Sequence, residues 1–426
     1  MERRIDFTEG EIVRPLIRFV GPVFCALFLQ ALYGAVDLMI VGKFAESADV
    51  SAVATGSMIM MTITNLVSSL AMGMTILLGQ KIGERKPEEG GRIVGSGILL
   101  FLTAGILMTV LTAALAPQLA GVMHAPAEAF GHTTDYIRIC GTGIIVIISY
   151  NLIGSIFRGI GDSATPFMTV LIACICNIAG DLLLVAGFGM GTRGAIRWDG
   201  TVIKKILLLG IPIALQDLLV GVSFLVIMAI VNSLGLICSA GVGVAEKVCG
   251  FIMLVPAAFM QSMSAIAAQN IGAGKPDRAV RGLFSAIGIS TVFGVLMFYV
   301  TFFHGDLLSS VFANDPEVIA ASHDYLKAYA IDCMLTCFLF CFIGFFNGVG
   351  YTGFVMMQGI AGAFLMRVPV SFLMSRRRPV SLFHIGLATP CSSLLQITLC
   401  FICFAVWRKR QADRLRSGTP GPVQAA

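Results

Sequence analysis

Long apolar runs dominate the chain, and short segments rich in charge, glycine or proline separate them. A helix of about 20 apolar residues is long enough to cross the hydrocarbon core of a bilayer. Of the 426 residues, 57% are hydrophobic and only 12% are charged, which is more apolar surface than a soluble domain of this size can bury. The sequence therefore predicts an all-α polytopic membrane protein.

Eleven segments are long and apolar enough to span the membrane. They cover about residues 15–41, 51–78, 93–116, 136–157, 166–188, 206–231, 240–267, 283–303, 325–346, 354–374 and 382–406. The first contains Pro22, which predicts a kink or a flexible point because proline lacks the amide hydrogen that a helix needs. The twelve cysteines fall mostly inside these segments, so we expect no disulfide framework.

A set of residues recurs at a constant distance of 189 positions. Gln80, Ile82, Gly83, Lys86, Pro87 and Arg92 recur as Gln269, Ile271, Gly272, Lys275, Pro276 and Arg281. Phe157, Gly159, Gly161 and Met168 recur as Phe346, Gly348, Gly350 and Met357. Such a repeat predicts two homologous helical lobes around a central cleft, an arrangement in which secondary transporters commonly place a substrate site.

We expect an N-terminal lobe over residues 1–192, a linker over 193–205, a C-terminal lobe over 206–407 and a disordered cytoplasmic tail over 408–426. The last span of the second half has no counterpart in the first, so the sequence predicts a missing sixth span. With a cytoplasmic N-terminus, five spans place the basic linker outside, against the positive-inside rule. An internal deletion or an unusual isoform would explain this, and a re-entrant linker is the alternative. The arginines at 376–378 fit neither topology.

Asp181 lies inside an apolar run, four residues after Asn177 and on the same helical face. A charged side chain at the centre of a bilayer costs about 2.5–3.5 kcal/mol on insertion scales, so this carboxylate needs a partner, a proton or a bound cation. An amide oxygen beside a carboxylate suits a proton or a small hard cation such as Na⁺. A hydrogen bond across a helix interface is the alternative.

The second half has its own acidic residues, and they do not fall at the positions of the first-half acids. Asp332 lies well inside its span, and we expect it to face the cleft. Glu246 precedes Lys247, with which it could form a neutralised pair. The candidates for the substrate cleft are Gln30, Asp217, Glu246 and Asp332.

Several short motifs resemble those of the multidrug and toxic compound extrusion (MATE) family of cation-coupled exporters. They are VDLMIVG at 36–42, GQKIGERKP with its repeat AQNIGAGKP, RGIGDSATPFM with its repeat FNGVGYTGFVM, NIAGD at 177–181 and IGLATP at 385–390. The resemblance covers nearly the whole chain. It implies two six-helix lobes facing a central cleft, so about 11 spans would be one fewer than the family norm of 12.

The resemblance also implies a cation-coupling site formed by Asp37, Asn177 and Asp181, with Tyr136 lining the same pocket. The site would bind H⁺ or Na⁺, and we expect no other cofactor. The family pocket also draws a hydroxyl group from the sixth span, and that ligand has no clear counterpart in this sequence.

These observations predict an antiporter that exports amphipathic organic cations across the plasma membrane, with a cytoplasmic N-terminus. We expect a monomer that contacts the lipid bilayer and binds no nucleic acid. A flippase for a lipid-linked saccharide is one alternative, although its cavity would need arginine and lysine. A membrane-embedded metalloprotease would need an HExxH motif, which the five histidines do not form. An inactive, truncated paralogue is the last alternative.

Overall fold

The computed structural model describes residues 5–44, 47–122, 130–171, 200–377 and 379–417. All regular secondary structure in these ranges is helical. The helices are α1 (Val13–Phe44), α2 (Ser47–Gly83), α3 (Pro87–Ala114), α4 (Ala116–Val122), α5 (Phe130–Thr142), α6 (Ile144–Ile160), α7 (Gly200–Asn232), α8 (Leu236–Ile252), α9 (Leu254–Gly272), α10 (Pro276–Phe303), α11 (Gly305–Ser310), α12 (Pro316–Val349), α13 (Thr352–Ala361), α14 (Val368–Ser375), α15 (Leu382–Gly386) and α16 (Ala388–Ser417). A π-helical segment, Gly362–Arg367, joins α13 to α14.

Among the described residues, eight helices are long and apolar enough to cross a membrane, or up to ten spans if each of two bent helix pairs counts as one. These ten coincide with ten of the eleven segments predicted from the sequence. The remaining segment, 166–188, is described only as far as residue 171, and residues 164–171 are helical. The predicted all-α polytopic architecture is therefore confirmed.

The C-terminal region differs from the prediction. The sequence predicts a disordered tail from residue 408, whereas α16 continues to Ser417. Residues 408–417 are mostly arginine, lysine, glutamine, alanine and leucine, which have high helix propensity, so charge alone does not end the helix.

The contacts divide the chain into two compact units. The first unit comprises Met1–Asp6 and Gly21–Ala214, and the second comprises Phe7–Val20 and Leu215–Ala426. The apolar core of the first unit is built mainly from α2, α3 and α6. That of the second is built from α7, α8, α12 and α15. The continuous helices α1 and α7 each contribute to both units.

Helices related by the repeat have matching bounds. α3 and α10 begin and end 189 residues apart, and each starts on a proline that follows a lysine. Proline is favoured at the first helical position because the amide hydrogen that it lacks would be unpaired there anyway. α6 and α12 both end before a left-handed glycine, Gly161 with φ 89° and Gly350 with φ 90°. The predicted internal repeat is confirmed.

The two units differ in where a span is bent. In the first unit α5 and α6 meet around Gly143 at an angle of 45°. The equivalent position in the second unit is Asp332, which lies within the continuous helix α12. In the second unit α8 and α9 meet around Met253 at 40°, whereas α2 is continuous through the equivalent Thr64. The two halves therefore share the bounds of their helices but differ in their buried polar residues and in the positions at which a span is bent.

Candidate functional site

The residues predicted to couple cations in the first lobe lie largely outside the described part of the chain. Asp37 belongs to α1, but its side chain is not among those described. Asn177 and Asp181 lie outside the described residues. The site that these three residues would form, including the Na⁺ site, stays a prediction.

Two other predicted residues lie in the first unit. The half-buried ring of Tyr136 on α5 occupies the space that a side chain on Gly56 of α2 would need. The exposed Gln30 on α1 donates a hydrogen bond from Nε2 to the hydroxyl oxygen of Tyr150, at 3.1 Å. Tyr136 therefore packs between helices, and the amide of Gln30 is bound to α6.

Asp217 and Glu246 belong to the second unit and differ in burial. Asp217 on α7 is exposed. Glu246 on α8 is half-buried, and its Oε1 atom is buried without a hydrogen-bond partner in the described part of the chain. The exposed Lys247 forms no ion pair with it among the described residues, because adjacent residues of a helix do not face each other. The neutralised pair that the sequence left open is therefore not formed.

Asp332 is the most buried acidic candidate. Its side chain is 2% exposed, and its Oδ1 atom has no hydrogen-bond partner among the residues described. Its polar neighbours are the hydroxyl group of Ser393 on α16 and the guanidinium of Arg367. The carboxylate thus lies in an apolar helix bundle with part of its hydrogen-bonding capacity unused.

Arg367 is a buried cation at the end of the π-helical segment, and it is 6% exposed. Its Nη1 atom donates to the hydroxyl oxygen of Ser223 on α7, at 3.2 Å. Its guanidinium carbon lies 4.4 Å from the ring centroid of Phe224. Its Nε atom is buried and has no hydrogen-bond partner in the described structure.

Two buried amide side chains lie against the helix that leads into the π-helical segment, and a third belongs to that helix. A Cβ atom on Gly359 would lie 2.8 Å from Cγ of Gln216, and one on Gly362 would lie 2.6 Å from Cγ of Gln396. Both amide atoms of the neighbouring Gln358 are buried and lack a partner within the described ranges. The two glycines therefore make room for polar side chains inside the second unit.

Within its described spans, the second unit thus contains the buried Asp332, the half-buried Glu246, the buried guanidinium of Arg367 and several buried amides. The thiol of Cys249 lies close to both Glu246 and Asp332. The described residues include no group of three or more His, Cys, Asp or Glu side chains that could hold a metal ion.

Arg367 was not among the residues singled out from the sequence. It interrupts the apolar segment 354–374. A charged residue inside a membrane span is costly, so the argument that identified Asp332 also applies to Arg367. The three glutamines gave a weaker signal because uncharged amides are common between packed membrane helices.

The MatE family model matches residues 22–183 and again residues 212–373. Among curated relatives, the probable multidrug resistance protein YoeA of Bacillus subtilis is 21% identical, with 96% of this chain and 97% of the relative covered. The multidrug export protein MepA of Staphylococcus saprophyticus is 20% identical, with 88% and 90% covered. A solved outward-facing structure of a multidrug resistance MATE family transporter shares the fold, with a TM-score of 0.86, 16% identity and 96% and 98% coverage.

Two features of these matches concern the predicted missing span. The alignment with YoeA extends over 455 positions, more than the 426 residues of this chain, so YoeA has residues without a counterpart here. Residues 184–211 separate the two family matches, and residues 184–199 lie outside the described part of the chain, so the missing span stays a prediction. The two matches together cover well over half of the chain, and their helices agree with the fold of a solved family member. The chain is a multi-pass membrane protein that belongs to the MATE family of transporters.

Proposed function

We propose that this protein is an antiporter that exports amphipathic organic cations in exchange for H⁺ or Na⁺. The observation that carries the proposal is the incomplete hydrogen bonding of Asp332, a carboxylate buried in a membrane span. Glu246, with its own unpartnered oxygen, supports it. The names of the relatives YoeA and MepA support the export of drugs.

The physical argument concerns the charge on these acids. A carboxylate buried among apolar helices is unfavourable unless a proton or a cation neutralises it. If an organic cation and a coupling ion use the same carboxylates, entry of one favours release of the other. Transport then requires the two ligands to differ in affinity between the inward-facing and outward-facing states.

We assign the coupling step in the first lobe to Asp37, Asn177 and Asp181, with Tyr136 lining their pocket. An incoming H⁺ or Na⁺ would neutralise the two carboxylates, and repacking of α1 near Pro22 would lower the affinity for the drug. Gln30 and Asp217 are assigned to the substrate path. We further propose that the protein is monomeric and lies in the plasma membrane with a cytoplasmic N-terminus.

Ethidium efflux from proteoliposomes under an imposed pH or Na⁺ gradient tests this function. We expect Asp332→Asn and Asp181→Asn each to abolish gradient-driven efflux. The control Asp306→Asn, an exposed acid in the first turn of α11, should leave efflux unchanged. Normal efflux in both span variants would refute the antiport mechanism.

The inactive-paralogue alternative rests on the predicted missing span, which stays a prediction. The same assay separates it from the antiporter, because an inactive paralogue would bind ethidium without gradient-driven efflux in the unmodified protein.

A further inference from the structure

Arg367 and Asp332 are oppositely charged residues of the second unit, and no hydrogen bond or ion pair joins them in the described structure. Both are buried, and Asp332 is within electrostatic range of the guanidinium. Each has a polar atom without a hydrogen-bond partner among the described residues. Separated buried charges are costly, whereas a closed ion pair with complete hydrogen bonding recovers much of that cost. An ion pair between them would give a partner to both of these unpaired atoms.

The contacts that hold Arg367 away from Asp332 are weak and few. A guanidinium has five N–H donors, and one of them reaches the hydroxyl group of Ser223 at 3.2 Å. The ring of Phe224 contributes a cation–π contact. A neutral hydroxyl and a phenyl ring are poorer partners for an arginine than a carboxylate is.

The backbone at Arg367 also differs from an ordinary helix. The residue closes the π-helical segment Gly362–Arg367, and such segments occur frequently at functional sites. Gly359 and Gly362, just before and at the start of this segment, lie against the side chains of Gln216 and Gln396. This local geometry gives the arginine a position that a regular helix would not provide.

We propose that Arg367 is a tethered cation that competes with the transported organic cation for Asp332. When the organic cation occupies Asp332, Arg367 lies against Ser223 and Phe224. When the organic cation leaves, the guanidinium pairs with the carboxylate and lowers the affinity for rebinding. This inference rests on the proposed function and adds the residue that promotes release.

The pair is specific to the second half of the chain. At the offset of 189 residues, Arg367 corresponds to Ile178 and Asp332 to Gly143. We therefore expect the two lobes to have different tasks, with the internal competitor confined to the second.

Ethidium binding to the purified protein, followed by fluorescence anisotropy, tests the competition. We expect Arg367→Gln to tighten ethidium binding by about fivefold or more, within the range of typical coupling energies. Arg376→Gln is the matched control, because Arg376 also stacks on a phenylalanine, at 4.5 Å from Phe372, but is exposed. It should leave the affinity unchanged.

Ser223→Ala gives a second test with the opposite sign. It removes the hydrogen bond that holds Arg367 aside, so it should weaken ethidium binding. This small substitution also keeps the proposal testable if Arg367→Gln fails to fold.

The Asp332→Asn background separates this inference from the proposed function. Competition at Asp332 requires that Arg367→Gln no longer tighten binding once that carboxylate is neutral. If Asp332→Asn weakens binding but Arg367→Gln and Ser223→Ala have no effect, the inference fails and the function stands. If Asp332→Asn leaves both binding and efflux unchanged, the role proposed for Asp332 fails, and the inference with it.

Discussion

Gly348 on α12 approaches Ser264 on α9 so closely that a Cβ atom at position 348 would overlap the carbonyl oxygen of Ser264. The same approach occurs in the first unit, where a Cβ atom on Gly159 would lie 3.1 Å from the carbonyl oxygen of Thr75. Both pairs are related by the 189-residue repeat. Small residues allow membrane helices to pack backbone against backbone, so each unit has the same close helix crossing.

Substitution of Gly348 by alanine should destabilise the second unit. The added methyl group would also lie 2.7 Å from Cβ of Ala267 and 2.9 Å from the backbone nitrogen of Ala268, and none of these atoms is the end of a flexible side chain. We expect a loss of about 1–3 kcal/mol in the free energy of unfolding. Gly288→Ala is the control, since nothing lies within 4 Å of that position on the exposed side of α10. Thermal unfolding in detergent measures both, and equal stability of the two variants would contradict the packing argument.

The sequence identified Gly159 and Gly348 as members of the repeat, but it could not identify them as contact points. A contact depends on which residue of a distant helix lies opposite, and the sequence does not state that pairing. The spans themselves were predictable because the length and apolarity of a segment are local properties. The bends around Gly143 and Met253 were not predictable from the repeat, because the positions equivalent to them, Asp332 and Thr64 respectively, lie in continuous helices.

Arg278 anchors the segment that precedes α1. It donates from Nε to the carbonyl oxygen of Phe7 at 2.7 Å, from Nη1 to that of Gly10 at 2.7 Å, and from Nη2 to those of Glu9 at 2.6 Å and Glu11 at 3.1 Å. All of these residues belong to the second unit. The sequence gave no sign of this contact because the acceptors are backbone carbonyl groups, which every residue has.

Arg278→Ala should therefore expose residues 7–11 to proteases. A hydrogen bond to a charged group contributes about 1.5 kcal/mol or more, so losing even one raises the open population roughly tenfold. A glutamate-specific protease would then cut faster after Glu9 and Glu11. The control is Arg281→Ala, one turn further along α10 and exposed. Cleavage at the same rate in both variants would show that the contacts of Arg278 do not hold the segment.

In the first unit, Lys81 and Lys86 share two glutamates but differ in exposure. The Nζ atom of Lys81 lies 2.8 Å from Glu84 and 2.9 Å from Glu89, and its side chain is 15% exposed. The Nζ atom of Lys86 lies 3.4 and 3.5 Å from the same residues and its side chain is 54% exposed.

Lys81→Met should cost more stability than Lys86→Met. Loss of Lys81 leaves the largely buried Glu84 with weaker partners, for an expected cost of about 1.5–3 kcal/mol. Loss of the exposed Lys86 should cost about 0–1 kcal/mol. Chemical or thermal unfolding of the two variants measures the difference, and the reverse order would show that burial does not govern this network.

The candidate site was partly predictable from the sequence. An acid inside an apolar run is visible without a structure, which is why Asp332 was selected. Its relation to Arg367 was not visible, because 35 residues separate them and they lie on different helices. The pairing proposed for Glu246 and Lys247 relied on adjacency in sequence, and adjacent residues of a helix point in different directions.

The N-terminus and the C-terminus should lie on the same side of the membrane. Arg278, near the start of α10, contacts the segment before α1, and Arg408, near the end of α16, pairs with Asp277. These three chain positions therefore lie at one end of the second unit, which requires an even number of crossings between them. The eleven crossings predicted from the sequence would place the termini on opposite sides, so this expectation runs against the predicted missing span.

Fusions to the C-terminus test this expectation. With a cytoplasmic N-terminus, a C-terminal green fluorescent protein should fluoresce and a C-terminal alkaline phosphatase should be inactive, because the first folds in the cytoplasm and the second requires export. The positive-inside rule favours the same result, since the end of α16 carries Arg408, Lys409 and Arg410. An active phosphatase fusion together with a non-fluorescent green fluorescent protein fusion would instead establish an odd number of spans. That result would contradict the contacts of Arg278 with the segment before α1 and of Arg408 with Asp277.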